Sequence, residues 1–266
     1  MIRSLLAELL KLRRPSIVYG ATGAIGALTL LATALTFLTA TTNPTGTFAG
    51  GPGLASSLTG LAEPGGATRG FTIAAGFLGL IVFVLFLVCM SSEYAQGTIR
   101  VLATRQPHRV RLLGGKLAAL LTVTAVALLG AELLTVLASI ALAHLRGIPT
   151  SDWFTTTALA HAASGYANAL LTAACYGTLG IALAVLVRST PIALGIGIAW
   201  LGPLEHITQL SWTGAGRWFP GLLFDAVAAG GNSTVTYQHA LLLGLLLTAV
   251  AAAAGTLSFT RRDITA

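Results

Sequence analysis

The sequence predicts an all-α membrane protein, and three observations lead to that prediction. Hydrophobic residues make up 55% of the 266 residues and charged residues only 9%, whereas a soluble domain carries roughly a quarter charged residues. Several apolar runs exceed the ~18 residues that indicate a transmembrane helix. The cations lie mostly between these runs, which is typical of a multi-pass chain with a preferred orientation.

The first 14 residues predict an amphipathic helix that lies in the membrane interface. Its apolar residues recur at the spacing of one helical face: Ile2, Leu5, Leu6 and Leu9. Pro15 lacks an amide hydrogen and therefore predicts a break before the first span. The alternative is the basic region of a cleaved signal peptide, but the apolar run that follows is longer than the about 7 to 15 residues such a peptide needs.

Six transmembrane helices are predicted. They cover about 17–40, 71–90, 117–144, 162–187, 192–206 and 240–259. The third would rise roughly 42 Å, more than the ~30 Å hydrocarbon core, so it must tilt or protrude. Gly20, Gly23 and Gly26 form a small-residue stripe in the first span that favours close helix packing.

The segment between the fifth and sixth spans is rich in aromatic residues, including Trp212, Trp218 and Phe219. Aromatics at this density are typical of the membrane–water boundary. Irregular backbone enters a membrane only where protein or a wet cavity surrounds it. We therefore predict a partly re-entrant segment of one or two short helices, with an exposed surface loop as the alternative.

The orientation follows from counting cations. With six spans and both termini on one side, only Arg69, Arg146 and Arg217 of the fifteen lysines and arginines fall on the other side. The positive-inside rule places the richer side in the cytoplasm. Both termini are therefore predicted to be cytoplasmic.

Motifs for chemistry are missing from the chain. The Gly114-Gly115-Lys116 run continues to Leu117 and does not complete a phosphate-binding loop. The histidines do not show zinc-ligand spacing, and no nucleophile elbow is present. Cations are not gathered with aromatics as nucleic-acid binding requires. We expect no catalytic residue, metal or cofactor in this chain.

The longest polar interruption, residues 91–111, carries the most informative pattern. Gly97 can adopt a conformation closed to other residues and so end the second span. Thr98 is a suitable N-cap. Ile99 and Arg100 then lie on different faces of a short helix. Such a helix, with apolar and cationic edges, is suited to enter a groove on another protein, although a solvated positive-inside loop is the alternative.

This segment resembles the loop after the second span of ABC transporter permeases of the type-2 export family. The resemblance is carried by Glu93-x-x-x-Gly97-Thr98-Ile99-Arg100, together with Arg109 and with Lys116 at the start of the next span. Supporting similarities are the N-terminal helix, the six-span layout and the aromatic segment before the last span. Departures are Tyr94 and Ala95, where many members carry charged residues.

The resemblance implies a coupling helix held by a separate ATPase subunit. The implied contact residues are Glu93, Tyr94, Gly97, Thr98, Ile99, Arg100 and, on a second turn, Arg188. Glu93 could pair with Arg100 or with a cation of the partner. Two ATP-binding cassette subunits would bind ATP and Mg²⁺, and a second permease, identical or paralogous, would complete an exporter.

The expected cargo is amphiphilic or hydrophobic: a drug, a peptide antibiotic, a lipid or a glycan-linked lipid. The alanine- and glycine-rich composition indicates a bacterial cytoplasmic membrane. The resemblance to these permeases implies that the second and fifth spans lie beside the central path. Glycines in those spans would allow close packing or bending: Gly76, Gly79, Gly195 and Gly197.

Four residues are candidates for the substrate path. Glu132 is the acidic residue well inside a span, where a carboxylate usually faces the bundle or a wet cavity; a structural hydrogen bond to Tyr166, Asn168 or His144 is the alternative. Trp200, Glu205 and His206 lie near the outer end of the fifth span.

The alternatives to an ATP-driven exporter are a secondary transporter, an intramembrane enzyme and a structural scaffold.

Overall fold

The protein is an assembly of helices in the computed structural model, which describes residues 15–41, 56–97 and 109–261. The helices are α1 (Pro15–Leu38), α2 (Leu58–Ala62), α3 (Arg69–Ala95), α4 (Arg109–Arg146), α5 (Thr156–Val187), α6 (Thr190–Ala199), α7 (Glu205–Ser211), α8 (Pro220–Ala228) and α9 (Tyr237–Arg261). Short 3-10 turns cover Gly66–Thr68, Ser151–Phe154 and Thr213–Arg217. The described residues contain no β-strand, only an isolated bridge between Thr41 and Ser57.

Five helices are long and apolar enough to cross a membrane. They are Tyr19–Leu38, Gly66–Ala95, Val110–Arg146, Thr156–Val187 and Tyr237–Arg261. These correspond to the predicted first, second, third, fourth and sixth spans, and the all-α membrane class is confirmed. The predicted interfacial helix, residues 1–14, lies outside the described residues.

The predicted fifth span, 192–206, is a broken helix. Helix α6 is only 10 residues long, and a π-helical turn, Trp200–Leu204, joins it to α7. Pro203 lies inside this turn, where its missing amide hydrogen removes a helical hydrogen bond and favours such a widening. The segment is therefore not among the five long apolar helices, and the count of six spans stays a prediction.

Helices α3 and α5 form the centre of the bundle and share its largest interface. Glycines permit their close approach, because a Cβ on Gly180 would lie 2.6 Å from the carbonyl oxygen of Phe83. Helix α1 packs against α4 and α3, and α9 packs against α5 and α8. Phe83 and Phe86 of α3 are fully buried in the resulting core.

The glycines that the sequence singled out differ in their surroundings. A Cβ on Gly79 would overlap the ring of Tyr176, and one on Gly197 would overlap that of Phe83, so both glycines allow close packing. Gly195 faces open space instead. The predicted stripe in α1 is not tightly packed within the chain, because Gly20 and Gly23 also have nothing within 4 Å of a Cβ position.

A second, smaller hydrophobic cluster lies at one end of the bundle. We call this end of the bundle the Arg146 end. The guanidinium of Arg146 donates to the carbonyl oxygens of Leu38 at 3.2 Å and Ala40 at 2.8 Å. These bonds satisfy carbonyls at and just beyond the C-terminus of α1, which the helix itself leaves unpaired. Nearby, the buried indole of Trp153 donates to the carbonyl oxygen of Leu61 at 3.0 Å.

Trp153→Phe is expected to lower the free energy of unfolding by about 1–3 kcal/mol, because it leaves the Leu61 carbonyl without its donor in a buried place. Trp218→Phe is the matched control, since Trp218 is 61% exposed. The midpoint of thermal unfolding of the purified protein measures both. Equal midpoints for the two variants would contradict the assigned role of the indole N–H.

Candidate functional sites

The opposite end of the bundle, which we call the Lys116 end, carries an ion pair between α3 and α4. The ammonium of Lys116 contacts the carboxylate of Glu93 directly, across 23 residues of sequence. Lys116 is 7% exposed and the Glu93 side chain 17%. Since screening by water is weak at this burial, the pair fixes the end of α3 to the start of α4.

Lys116 is a partner of Glu93 that the resemblance did not suggest. Arg100 lies outside the described residues, so a pair between Glu93 and Arg100, or between Glu93 and a cation of the ATPase subunit, stays a prediction. The sequence pattern identifies Lys116 as the start of the next span but does not indicate that it pairs with Glu93. The antiparallel course of α3 and α4 brings the two together, because the last turns of one helix lie beside the first turns of the other.

Arg188 joins the same junction from the end of α5. Its Cζ lies 5.7 Å from the centroid of the Tyr94 ring, a cation–π contact. Arg188 adopts a left-handed backbone, with a φ of 57°, and its N–H donates to the carbonyl oxygen of Ala184 at 3.0 Å. A non-glycine residue in this conformation is uncommon and often accompanies function.

The chain breaks after α3 at Gly97, as predicted. The φ of Gly97 is 67°, and its N–H donates to the carbonyl oxygen of Tyr94 at 3.2 Å. None of the described residues lies within 4 Å of a Cβ position on this glycine. Thr98, Ile99 and Arg100 lie outside the described residues, so the coupling helix stays a prediction.

A second polar cluster lies where α7 meets α8. Glu205 is 1% exposed, and its Oε2 accepts the N–H of Leu222, in the first turn of α8, at 3.0 Å. Gly221 leaves the room for this carboxylate, since a Cβ there would lie 2.6 Å from Oε2. The donors at the helix N-terminus favour the charged form of this carboxyl group, and its burial opposes that form.

His206 and Asp225 extend this cluster. The Nε2 of His206 lies 3.2 Å from Oδ2 of Asp225, and its Nδ1 lies 2.7 Å from the carbonyl oxygen of Gly202 in the π turn. The hydroxyl of Tyr176 donates to Oδ1 of Asp225 at 3.5 Å. We call Tyr176, Glu205, His206 and Asp225 the α7–α8 network.

The structure thus brings together two of the predicted substrate-path residues, Glu205 and His206. Trp200 lies at the edge of this region, with its ring 5.9 Å from that of Phe219. Tyr176 and Asp225 were missed. An aspartate directly after Leu222, Leu223 and Phe224 is an available signal, because a charge in so apolar a helix requires a partner.

Glu132 lies apart from the α7–α8 network. It is 7% exposed, and its buried Oε1 accepts no hydrogen bond within the described part of the chain. Two of the alternative partners bond elsewhere: Tyr166 donates to the carbonyl oxygen of Ala125 at 3.0 Å, and Asn168 accepts from Tyr237 at 2.8 Å. Within the described part of the chain, neither residue forms a hydrogen bond with the Oε1 of Glu132.

No metal centre is evident where the structure describes the chain, since His, Cys, Asp and Glu do not gather there in a group of three that could hold an ion.

Fold and sites together define an all-α, multi-pass membrane protein. Residues 57–265 match the family described as a protein of unknown function, DUF2705, and the chain belongs to that family. No curated protein matches the chain.

Proposed function

We propose that this chain is the transmembrane subunit of an ATP-driven ABC exporter of the type-2 export family. One observation carries the proposal: Glu93, Tyr94, Lys116 and Arg188 form a single junction at the Lys116 end. Both segments that the family resemblance assigns to an ATPase partner, the one after α3 and the turn after α5, start from this junction.

The junction suits the transmission of force. Displacement of the segment after Gly97 would act on α3 and, through the Glu93–Lys116 pair, on α4. Through the contact between Arg188 and Tyr94 it would act on α5 as well. Because α3 and α5 share the largest interface in the bundle, a force applied at this junction acts directly on the centre of the membrane domain.

The remaining parts of the proposal follow the cation count and the resemblance. The broken helix of α6, the π turn and α7 would serve as the fifth of six spans, with both termini in the cytoplasm. The segment with α8 would be partly re-entrant. Two cassette subunits would bind ATP and Mg²⁺, and a second permease would complete the exporter in a bacterial cytoplasmic membrane.

A matched pair of glycines tests the coupling role. Gly97 and Gly147 both have positive φ, 67° and 64°, nothing within 4 Å of a Cβ position, and places at opposite ends of the bundle. Alanine introduces a similar backbone strain of roughly 1–2 kcal/mol at each. We expect Gly97→Ala to lower substrate-stimulated, vanadate-sensitive ATPase activity of the purified complex several-fold.

The Gly147→Ala complex is expected to keep that activity. Equal activity in both complexes would remove Gly97 from the coupling role.

Co-purification at native expression tests the proposal more broadly: the tagged chain should bring down a subunit with a complete phosphate-binding loop. Its absence would favour the alternatives, an ATP-independent secondary transporter or an intramembrane enzyme.

A further inference from the structure

We propose that a cavity beside Asp225 binds an organic cation, an ammonium group with small apolar or aromatic substituents. The inference deepens the proposed function and rests on it for the step of transport, because it names a substrate class. Binding itself is a property of this chain alone, so it can be tested separately from ATP-driven coupling.

The cavity has a volume of about 250 Å³ and lies between α3, α5, the π turn and α8. Its walls are mostly apolar, with polar side chains at one side, and they consist of Gly76, Phe77, Leu80, Tyr176, Leu201, Gly202, Pro203, His206 and Asp225. Pockets for drug-sized ligands measure roughly 300–1,000 Å³. This cavity therefore suits a small cation or the charged head of a larger amphiphile.

Charge determines which ligand is suitable. Asp225 is the only acidic side chain among the lining residues of this cavity, and His206, 3.2 Å away, is the only basic one. The Asp225 carboxylate is therefore the group that can pair with a ligand cation, in exchange for its contact with His206. In apolar surroundings a carboxylate attracts a cation more strongly than it would in water.

The Asp225 carboxylate is accessible from the cavity. Its side chain is 19% exposed. The Tyr176 hydroxyl lies 3.5 Å from its Oδ1 and equally far from the carbonyl oxygen of Gly221. Gly76 keeps the approach open, because a Cβ there would lie 2.7 Å from Oδ1 of Asp225. An ammonium group could share or replace His206, whose Nδ1 would keep its bond to the Gly202 carbonyl.

Aromatic rings supply the other half of the site. Phe77 and Tyr176 both line the cavity, and Phe77 is 60% exposed. The face of an aromatic ring attracts a cation, and quaternary ammonium ligands are commonly recognised in this way. A carboxylate opposite aromatic walls thus favours an alkylated ammonium over a neutral or anionic ligand of equal size.

Two probes of the same shape test the proposal: benzyltrimethylammonium and its uncharged isostere, neopentylbenzene. Binding to the full-length purified protein in detergent is measured by saturation-transfer NMR, with empty micelles subtracted. We expect the cation to bind about tenfold or more tightly than the isostere, and Asp225→Asn to remove about that factor. Asp152→Asn, the same change at an exposed site, should leave the affinity unchanged.

Phe77→Leu is a second variant for the case that Asp225→Asn disturbs folding. It is not expected to disturb folding itself, because Phe77 is exposed and leucine preserves most of its volume. It should weaken cation binding about threefold or more and leave binding of the neutral isostere nearly unchanged. Equal affinity of wild type for the two probes would overturn the proposal, as would unchanged cation affinity in both variants. Lost ATPase coupling with intact cation binding would instead count against the proposed function.

Discussion

Gly180→Ala is expected to destabilise the bundle by about 1–3 kcal/mol, a large effect for one added methyl group. The new Cβ would lie 2.6 Å from the carbonyl oxygen of Phe83 and 3.2 Å from the amide nitrogen of Leu87. Both atoms belong to the backbone of α3 and cannot rotate away. Helices α3 and α5 would have to separate, which loosens the whole core between them.

The midpoint of thermal unfolding of the purified protein measures this effect. Gly195→Ala is the matched control, because the same methyl group enters open space in another helix and alanine favours helix slightly. Its midpoint should equal or exceed that of wild type. If Gly180→Ala also left the midpoint unchanged, the close contact of α3 and α5 at this level would be wrong.

Lys116→Met is expected to lower the free energy of unfolding by about 3 kcal/mol, because it leaves the Glu93 carboxylate in a largely buried place without its ammonium partner. This is the low end of the range for buried pairs, since the Glu93 side chain is 17% exposed and water screens part of the loss. Chemical unfolding in detergent, followed by tryptophan fluorescence, measures the change.

A double-mutant cycle separates the pair from the other contacts of each side chain. Lys116→Met combined with Glu93→Gln should be more stable than Lys116→Met alone, because the second change removes the buried charge that lost its contact with Lys116. The double variant should still lose coupling between transport and ATP hydrolysis if the pair transmits force. Additive losses of stability in the cycle would show that Glu93 and Lys116 do not interact.

The Gly180 contact and the Glu93–Lys116 pair lie at different depths of the helix bundle. The Gly180 contact holds the two central helices together inside the bundle, and the Glu93–Lys116 pair ties α3 to α4 at the Lys116 end. Arg188 connects α5 to that end through Tyr94. Under the proposed function, a movement introduced at the junction would reach the α7–α8 network through helices that are in close contact.

Much of the fold follows from the pattern of hydropathy along the chain, and the exception is the predicted fifth span. Five of six predicted spans are long apolar helices in the structure, because a helix needs only continuous hydrophobic sequence and its own backbone hydrogen bonds to be stable in lipid. The fifth prediction treated Trp200–Leu204 as ordinary helix. There, Pro203 breaks the hydrogen-bond pattern and a π turn results.

Some features of the candidate sites also follow from the local sequence, and others depend on how the helices pack. The break at Gly97 was predictable, since a glycine that ends a helix depends on its own backbone conformation. The pairing of Glu93 with Lys116 and of His206 with Asp225 was not, because each joins residues that only helix packing brings together. Glu132 shows the limit of reasoning from composition: its burial was expected, but its partners depend on which helix face it occupies.

Hydropathy and charge along the chain alone determined the membrane class, the five long helices and the cationic segment that ends the second span, because these properties depend on neighbours in sequence. Tertiary structure alone decided which glycines separate close backbones, which cation neutralises Glu93, and that Tyr176, Glu205, His206 and Asp225 meet in one network. Those contacts are set by helix register and crossing, where a rotation of one residue turns a buried group toward lipid.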